Sequence, residues 1–482
     1  MLTGRKTSME FSIRGIGIVK EADIKIDGLT VIAGSNNSGK TTVGRALYSI
    51  VSATGNLEEN QNMDRAVAIV QRIWKILRPV SNWLNVYQSN TREYGEKIEF
   101  LDELIESRYG INGERLGFYT DLLFKLCESI EDESFHTILL SGIQRSFGKL
   151  FTSEDFASDW KNNREIMQNE CKYAREFIAE LQKQKRKEFA YKMIERTLQV
   201  EFSDQIQSFS DVNRGSASKI KLENAGMPVY EIYLSGNRVM TDMSQFSNIF
   251  FDRAYFVDDP YVMEDPLPSK PLLSPREDSY VVVEIVDHRR KMRQLMKKTQ
   301  FEIAVSKTLS ETIYREREIE EILVKINRIV PGKVSRNIYQ EDGMKVKVGN
   351  LATGSKIFSI IKNILTDGDI TDKTLLILDE PESHLHPKWI NQLAEIIVLL
   401  VKECNITVLL TTHSPNFLLA IDALMRKYEI REKCHFYQTE REEDNRIKYV
   451  EKTDCLDNVY ADFAASFAEM NALRKKYMNS EE

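Results

Sequence analysis

Gly34-Ser35-Asn36-Asn37-Ser38-Gly39-Lys40-Thr41 stands between an apolar run, Leu29 to Ala33, and an apolar-periodic stretch, Val43 to Val51. Strand, glycine-rich turn and helix is the order this pattern needs, and the eight residues satisfy G-x-x-x-x-G-K-[ST] throughout. The residue types follow from the chemistry. Successive backbone N–H groups form a concave anion nest, and the helix N-terminus adds the positive end of its dipole. Gly34 and Gly39 permit the tight backbone. Lys40 sets a point charge on the β- and γ-phosphates of a nucleotide, and Thr41 offers a hydroxyl to Mg2+. The expected phosphate cradle runs from Gly34 through Thr42.

Two further segments complete the reading. Thr374-Leu375-Leu376-Ile377-Leu378-Asp379-Glu380-Pro381 reads as a buried parallel strand ending in two adjacent carboxylates. At a strand's C-terminal end one carboxylate can hold the metal shell while its neighbour polarises the attacking water. Asp379 is therefore expected at the metal and Glu380 as general base. Ile406 to Pro415 is another apolar strand, closing in Thr411-Thr412-His413-Ser414. A neutral His413 there can donate to a γ-phosphate oxygen or position the lytic water. Lys40, Glu380 and His413 form the expected catalytic set, with ATP and Mg2+ as ligands.

Length and composition bound the rest. The 482 residues allow two to four structural units, and 42% hydrophobic with 29% charged residues is ordinary for a globular chain. The longest apolar run, Ile396 to Val401, is far short of the roughly 20 residues a membrane helix needs. The first fifteen residues carry no apolar core of a secretory signal. Five cysteines lie far apart without a CxxC pair, so neither a disulfide framework nor a zinc site is expected, and a reduced cytoplasm is the expected compartment. The net charge of −7 excludes a surface that attracts nucleic acid everywhere, though a local basic face remains open.

Strand and helix alternate around the motifs, which is the α/β signature. Residues 1–56 and 200–270 are expected to form one lobe, with a β meander in its second part, and 337–482 the other lobe. Residues 57–199 read as a helical insertion. Residues 271–336 read as a second helical segment, entered through a proline-rich stretch from Pro260 to Pro275.

In this order GSNNSGKT, NLATGSK, LLILDEPESHLHP and LLTTHSP resemble the head of the ABC-type ATPases. More narrowly, the chain is similar to the SMC-like and OLD-like family, and within it to the ATPase subunits (PtuA-like) of Septu- and retron-type anti-phage defence systems. The resemblance covers residues 10–52 and 344–422. It implies a P-loop ATPase head with a mixed β lobe and large helical insertions. It also implies that Leu351, Ala352, Thr353, Gly354 and Ser355 form a signature loop that caps the nucleotide of an opposing copy, and that Glu382 to His386 form the D-loop. Gln205 is implied as a Mg2+ contact, with Gln207 close by. Two positions depart from the family pattern. Ala352 stands where a serine hydroxyl usually reaches the partner's γ-phosphate, and His386 stands at the usual aspartate of the D-loop. One missing donor in such a site costs about 10²–10³ in rate, so slow hydrolysis or a nucleotide sensor is expected.

Other classes fit poorly. About 300 residues separate Thr42 from Leu351, far more than a transporter head needs. Sustained heptads and a zinc hook, required for a long tethering arm, are not seen. About 70 residues follow His413, too few for an appended Toprim nuclease, and no HNH arrangement is present. Two basic segments, Lys183, Lys185, Arg186, Lys187 and Arg289, Arg290, Lys291, Arg293, Lys297, Lys298, offer possible DNA contact, although a solvated helix face is the simpler reading. His384 and His386 are expected at a dimer interface rather than on a metal. The expected partners are a second copy and a separate effector, a nuclease by preference. The expected function is regulation of that effector in a two-gene defence system, the alternative being a repair ATPase acting directly on DNA.

Overall fold

A computed structural model describes residues 8–91, 98–109, 111–147, 153–213, 215–247, 250–264, 285–296, 319–335, 338–367 and 370–478. The first strands are β1 (Met9–Ile16), β2 (Val19–Lys25) and β3 (Leu29–Ala33). After a long helical stretch come β4 (Ser218–Asn224), β5 (Met227–Ser235), the short β6 (Arg238–Val239) and β7 (Gln245–Phe246), and β8 (Arg253–Val257). A separate three-stranded antiparallel sheet holds β9 (Lys333–Ser335), β10 (Ile338–Glu341) and β11 (Met344–Lys347). The last strands are β12 (Thr374–Asp379), β13 (Thr407–Thr412), β14 (Cys434–Arg441) and β15 (Ile447–Glu451).

The main sheet runs β6-β5-β4-β1-β2-β15-β14-β3-β13-β12-β8, with β7 paired to β5. Its two halves differ in kind. From β14 to β8 all neighbours are parallel, while β1, β2, β4 and β5 pair antiparallel. Sequence follows that division. LTVIA of β3 and TVLLTT of β13 are buried at every residue, as strands covered on both faces must be. β4, KIKLEN within Ser218–Asn224, alternates buried with part-exposed positions, as a strand with one covered face does. This mixed α/β architecture is that of a P-loop ATPase head, as expected.

Parallel pairing carries the main consequence for function. Ala33 stands opposite Thr412, Asp379 opposite Thr411, and Val257 opposite Leu378. The loops after β3, β8, β12 and β13 therefore leave one edge of the sheet together. In open α/β sheets that carboxyl edge is where ligands bind.

By its internal contacts the chain divides into two units. The first holds 1–55, 191–271 and 285–482, and with them the whole main sheet. Its core joins Val31, Leu376 and Leu410 of the sheet to helices Thr353–Asp367, Pro387–Glu403 and Pro415–Lys427. The second holds 56–190 and 272–284. It is helical in its described part and folds round its own core, where Phe156 meets Trp83 edge-on at 5.4 Å and stacks on His136 at 5.1 Å. The sequence suggests an insertion ending at 199, whereas the structure divides at 190. Helix Arg186–Glu201 runs through that point, and its second half belongs to the first unit. There Tyr191 Oη donates to the Ser244 carbonyl at 2.7 Å and Glu195 accepts from the Val239 N–H at 2.8 Å. Of the expected second helical segment, 271–284, 297–318 and 336 lie outside the described residues, as do Pro266, Pro268, Pro271 and Pro275 of the proline-rich stretch. Among the described residues no helix is long and apolar enough to cross a membrane.

Candidate active site

The loop after β3 is shaped by left-handed residues and braced from the far end of the chain. Asn37 (φ 59°) and Gly39 (φ 72°) turn the backbone into the helix that starts at Lys40. Gly39 caps that helix without a side-chain bond, which leaves its first N–H groups facing the loop. Gly34 is held so closely that a Cβ there would lie 1.9 Å from Thr439 Oγ1 of β14. That hydroxyl donates to Ser38 Oγ at 2.8 Å, and Tyr449 Oη of β15 donates to the Gly39 carbonyl at 2.8 Å. Lys40 is only 4% exposed. Its Nζ donates to the carbonyls of Gly34 (3.0 Å) and Ser35 (2.7 Å) and lies 3.0 Å from Glu380 Oε1. The ammonium is thus turned back on its own loop, where an incoming phosphate would compete for it.

The carboxylates stand beside it. Asp379 Oδ2 accepts from Thr41 Oγ1 at 2.5 Å, and its other oxygen accepts from the Thr411 hydroxyl. Burial pushes the Asp379 pKa up, the two hydroxyls oppose that, and the charges of Glu380 and Asp258 add to the rise. Glu380 adopts φ 48°, a left-handed conformation unusual for a residue with a side chain, and its N–H donates to the Thr411 carbonyl at 3.1 Å. Its carboxylate bridges Lys40 on one oxygen and His413 Nδ1, at 3.0 Å, on the other. All three expected catalytic residues meet here. One position behind them, buried Glu382 accepts from the Thr412 hydroxyl, and its pKa is pushed up by burial. A hydroxyl and a carboxylate converging from Thr41 and Asp379 make a hard-oxygen donor pair. That pair suits Mg2+, which takes its remaining ligands from phosphates and water.

Asn36 to Thr42, Asp379 and Glu380 line a cleft of about 480 Å³ together with Ile18, Asp258 and Asp259, which the sequence does not single out, while His413 touches Glu380 from outside that lining. Gln205, expected at the metal, is exposed on the turn after helix Arg186–Glu201 and is not among the residues lining the cleft. Gln207 is buried, donating to the Ser216 carbonyl at 3.0 Å and accepting from the Gly236 N–H at 2.5 Å, so its amide is spent on the fold. The place across from Asp379 belongs to Asp258. A signal was present in RAYFVDDP, an apolar strand ending in carboxylates like LLILDEP.

Asp258 is part of a buried charge cluster. His288 Nε2 lies 3.0 Å from Asp258 Oδ2, and His288 Nδ1 lies 2.6 Å from Glu201 Oε2. Burial disfavours the His288 imidazolium, yet the hydrogen bonds and charges of Asp258 and Glu201 overcome it and hold the pKa at about 9. Burial likewise opposes ionisation of Asp258, but His288 and Arg289 hold its pKa at about 2. A pKa raised above the ordinary 6.5 stabilises the fold fully below that pH, and the contribution is lost as pH rises through about 9. Urea unfolding should therefore show stability falling between pH 6.5 and 9.5 by on the order of 3 kcal/mol. His288→Asn should flatten that slope; an unchanged slope would show that the imidazole titrates alike in both states.

The expected signature residues do not line this cleft, although Thr353 Oγ1 lies 3.1 Å from Tyr261 Oη, next to Pro260 of its wall. Leu351 packs against the core, and Thr353 opens helix Thr353–Asp367. Ala352, Thr353 and Gly354 line a second cleft of about 520 Å³ with His384, His386 and Trp389, and no residue of the 34–42 loop lines it. A Cβ on Gly354 would lie 2.7 Å from the Trp389 ring, which accounts for the glycine. His384 lines both clefts. His386 Nδ1 accepts from the Lys388 N–H at 3.3 Å and so caps helix Pro387–Glu403. Of the basic segments, Lys183, Lys185, Arg186 and Lys187 are solvated, whereas Arg289 is spent on Asp258, Nη2 to Oδ2 at 2.8 Å. Lys297 and Lys298 lie outside the described residues.

Residues 9–418 match the family described as AAA ATPase domain. No curated protein matches the chain. Among solved structures, the SMC head domain from Thermotoga maritima is similar at 11% identity, covering 93% of this chain and 99% of that one, with a TM-score of 0.33. An Smc head domain with a coiled coil and joint from Pyrococcus yayanosii is similar at 10% identity, covering 95% and 99%, with a TM-score of 0.27.

Proposed function

The chain belongs to the AAA ATPase domain family, and from that premise we propose that it hydrolyses ATP slowly in the cleft at the sheet's carboxyl edge. In this reading two copies close head to head over the nucleotide, and the closed pair controls a separate effector of a two-component anti-phage defence system.

The loop 34–42 receives the phosphates, with Lys40 on the β- and γ-groups. Thr41 and Asp379 would hold Mg2+, which supplies charge neutralisation on the phosphate oxygens. Drawing Lys40 onto the nucleotide frees one oxygen of Glu380, which then accepts the proton of the attacking water. His413 keeps the other oxygen of Glu380 fixed, so the base is aimed while it works.

The observation that carries the two-copy reading is the second cleft. Thr353 and Gly354 sit at a helix N-terminus, suited to an anion, yet their cleft shares no residue with the chain's own phosphate loop. Two copies related by a two-fold axis complete two sites at once. Ala352 places no hydroxyl there, in keeping with slow turnover and a sensing role.

Gly354→Ala tests it, since the added methyl must displace the Trp389 ring. ATP affinity of the single chain should stay within about threefold, while turnover per chain falls tenfold or more and the ATP-dependent dimer is lost in light scattering. Turnover independent of chain concentration, with Gly354→Ala unaffected, would overturn head-to-head closure. All the cleft residues belong to the first unit, which leaves the second unit as the surface offered to an effector. Co-expression with the adjacent gene, purification and a nuclease assay with and without ATP test that part. A purified single chain that cuts DNA unaided would favour the repair reading.

A further inference from the structure

We propose that His288, clamped by Glu201, is a positioning residue of the ATPase site, which fixes the Asp258 carboxylate on the cleft wall across from the phosphate loop. The inference rests on the ATPase reading and assigns this cluster a part in it.

The geometry leaves the imidazole no other place. Glu201, the last residue of its helix, accepts from the His288 backbone N–H at 2.7 Å through one oxygen and contacts Nδ1 at 2.6 Å through the other. Phe256 stacks on the ring at 4.3 Å and 22°, and Tyr48 meets it edge-on at 5.9 Å. The second ring nitrogen then faces Asp258, whose two oxygens also lie 3.0 Å from Arg289 Nε. Consecutive residues at the start of helix His288–Leu295 thus grip one carboxylate. The side chains of Glu201, His288 and Asp258 are 1%, 5% and 6% exposed. Burying three charges is costly, and apolar side chains of the same volume would hold helix and sheet together at least as well.

The beneficiary is visible in the sheet. β8 pairs with β12 in parallel, Val257 opposite Leu378, so Asp258 and Asp379 leave adjacent strands side by side. Asp258 lines the cleft although its carboxylate is nearly buried. It presents a fixed, ionised acceptor to water in that cleft, and Glu201 and His288 keep it there without touching the nucleotide.

Glu201→Gln keeps shape and one acceptor but removes the charge, and His288→Asn removes the ring. In both, kcat for ATP should fall about 10-fold or more, while KM and the dissociation constant of a fluorescent ATP analogue stay within threefold and the circular-dichroism spectrum is unchanged. Glu201→Gln combined with Asp258→Asn should be no slower than Asp258→Asn alone, because one group acts through the other. A folded Glu201→Gln chain with kcat within twofold of wild type, or losses that multiply in the double variant, would overturn the proposal. Should His288→Asn not fold, Glu201→Gln and the double variant decide. Failure of the wild-type chain to hydrolyse ATP would instead remove the ATPase reading itself.

Discussion

Glu380→Gln should bind ATP and scarcely turn it over, with hydrolysis reduced by about 10²–10⁴, the range that a positioned general base contributes. The amide keeps the size of the carboxylate and can still face His413, whose Nδ1 lies 3.0 Å from one oxygen in the native chain. It loses the ability to accept a proton from water and the charge that now draws Lys40 to 3.0 Å. The second loss favours the nucleotide, since the ammonium no longer divides its attraction. Affinity for ATP should therefore equal or exceed that of the wild type. In the proposed head-to-head arrangement the variant should accumulate as a closed pair with ATP between Lys40 of one copy and Gly354 of the other. Steady-state phosphate release and light scattering with ATP check both parts. Turnover within a few-fold of wild type would take the base role from Glu380.

Lys40→Ala should act at the earlier step. The ammonium is buried and bonded to two loop carbonyls, so its removal takes away both the counter-charge for the phosphates and a tie across the loop. Charge-assisted hydrogen bonds are worth about 1.5–3 kcal/mol each, so losing two contacts to phosphate lowers ATP affinity by at least 10²-fold. Calorimetry should show no measurable binding at concentrations that saturate the wild type. Unchanged affinity would mean that the 34–42 loop does not hold the phosphates.

The site was legible where contiguous residues decide the chemistry. Gly34 to Thr41, Asp379-Glu380 and His413 each end a strand, and parallel pairing was enough to bring them to one edge. Asp258 was not legible in the same way. Its strand follows the antiparallel β4–β5 pair in sequence, and only the pairing of β8 with β12 shows that it belongs to the parallel half. Gln205 sits exposed on the turn after a helix rather than at a strand end, and it is not among the residues lining the cleft. Glu201 and His288 lie 87 residues apart and meet only through packing. No local pattern announces such a contact. The break at 190 rather than 199 is of this kind too, since one continuous helix conceals where its packing partners change.

The braces on the phosphate loop bear on the order in which the protein is made. Thr412, Thr439 and Tyr449, which hold Gly34, Ser38 and Gly39, are translated some four hundred residues after the loop itself. At about 5–20 residues per second, the loop waits on the order of 20–80 s for its supports. A nascent or prematurely ended chain thus carries the recognisable motif without the shape that grips a triphosphate. Nucleotide capture becomes a late event in biogenesis, reserved for chains in which the sheet has closed.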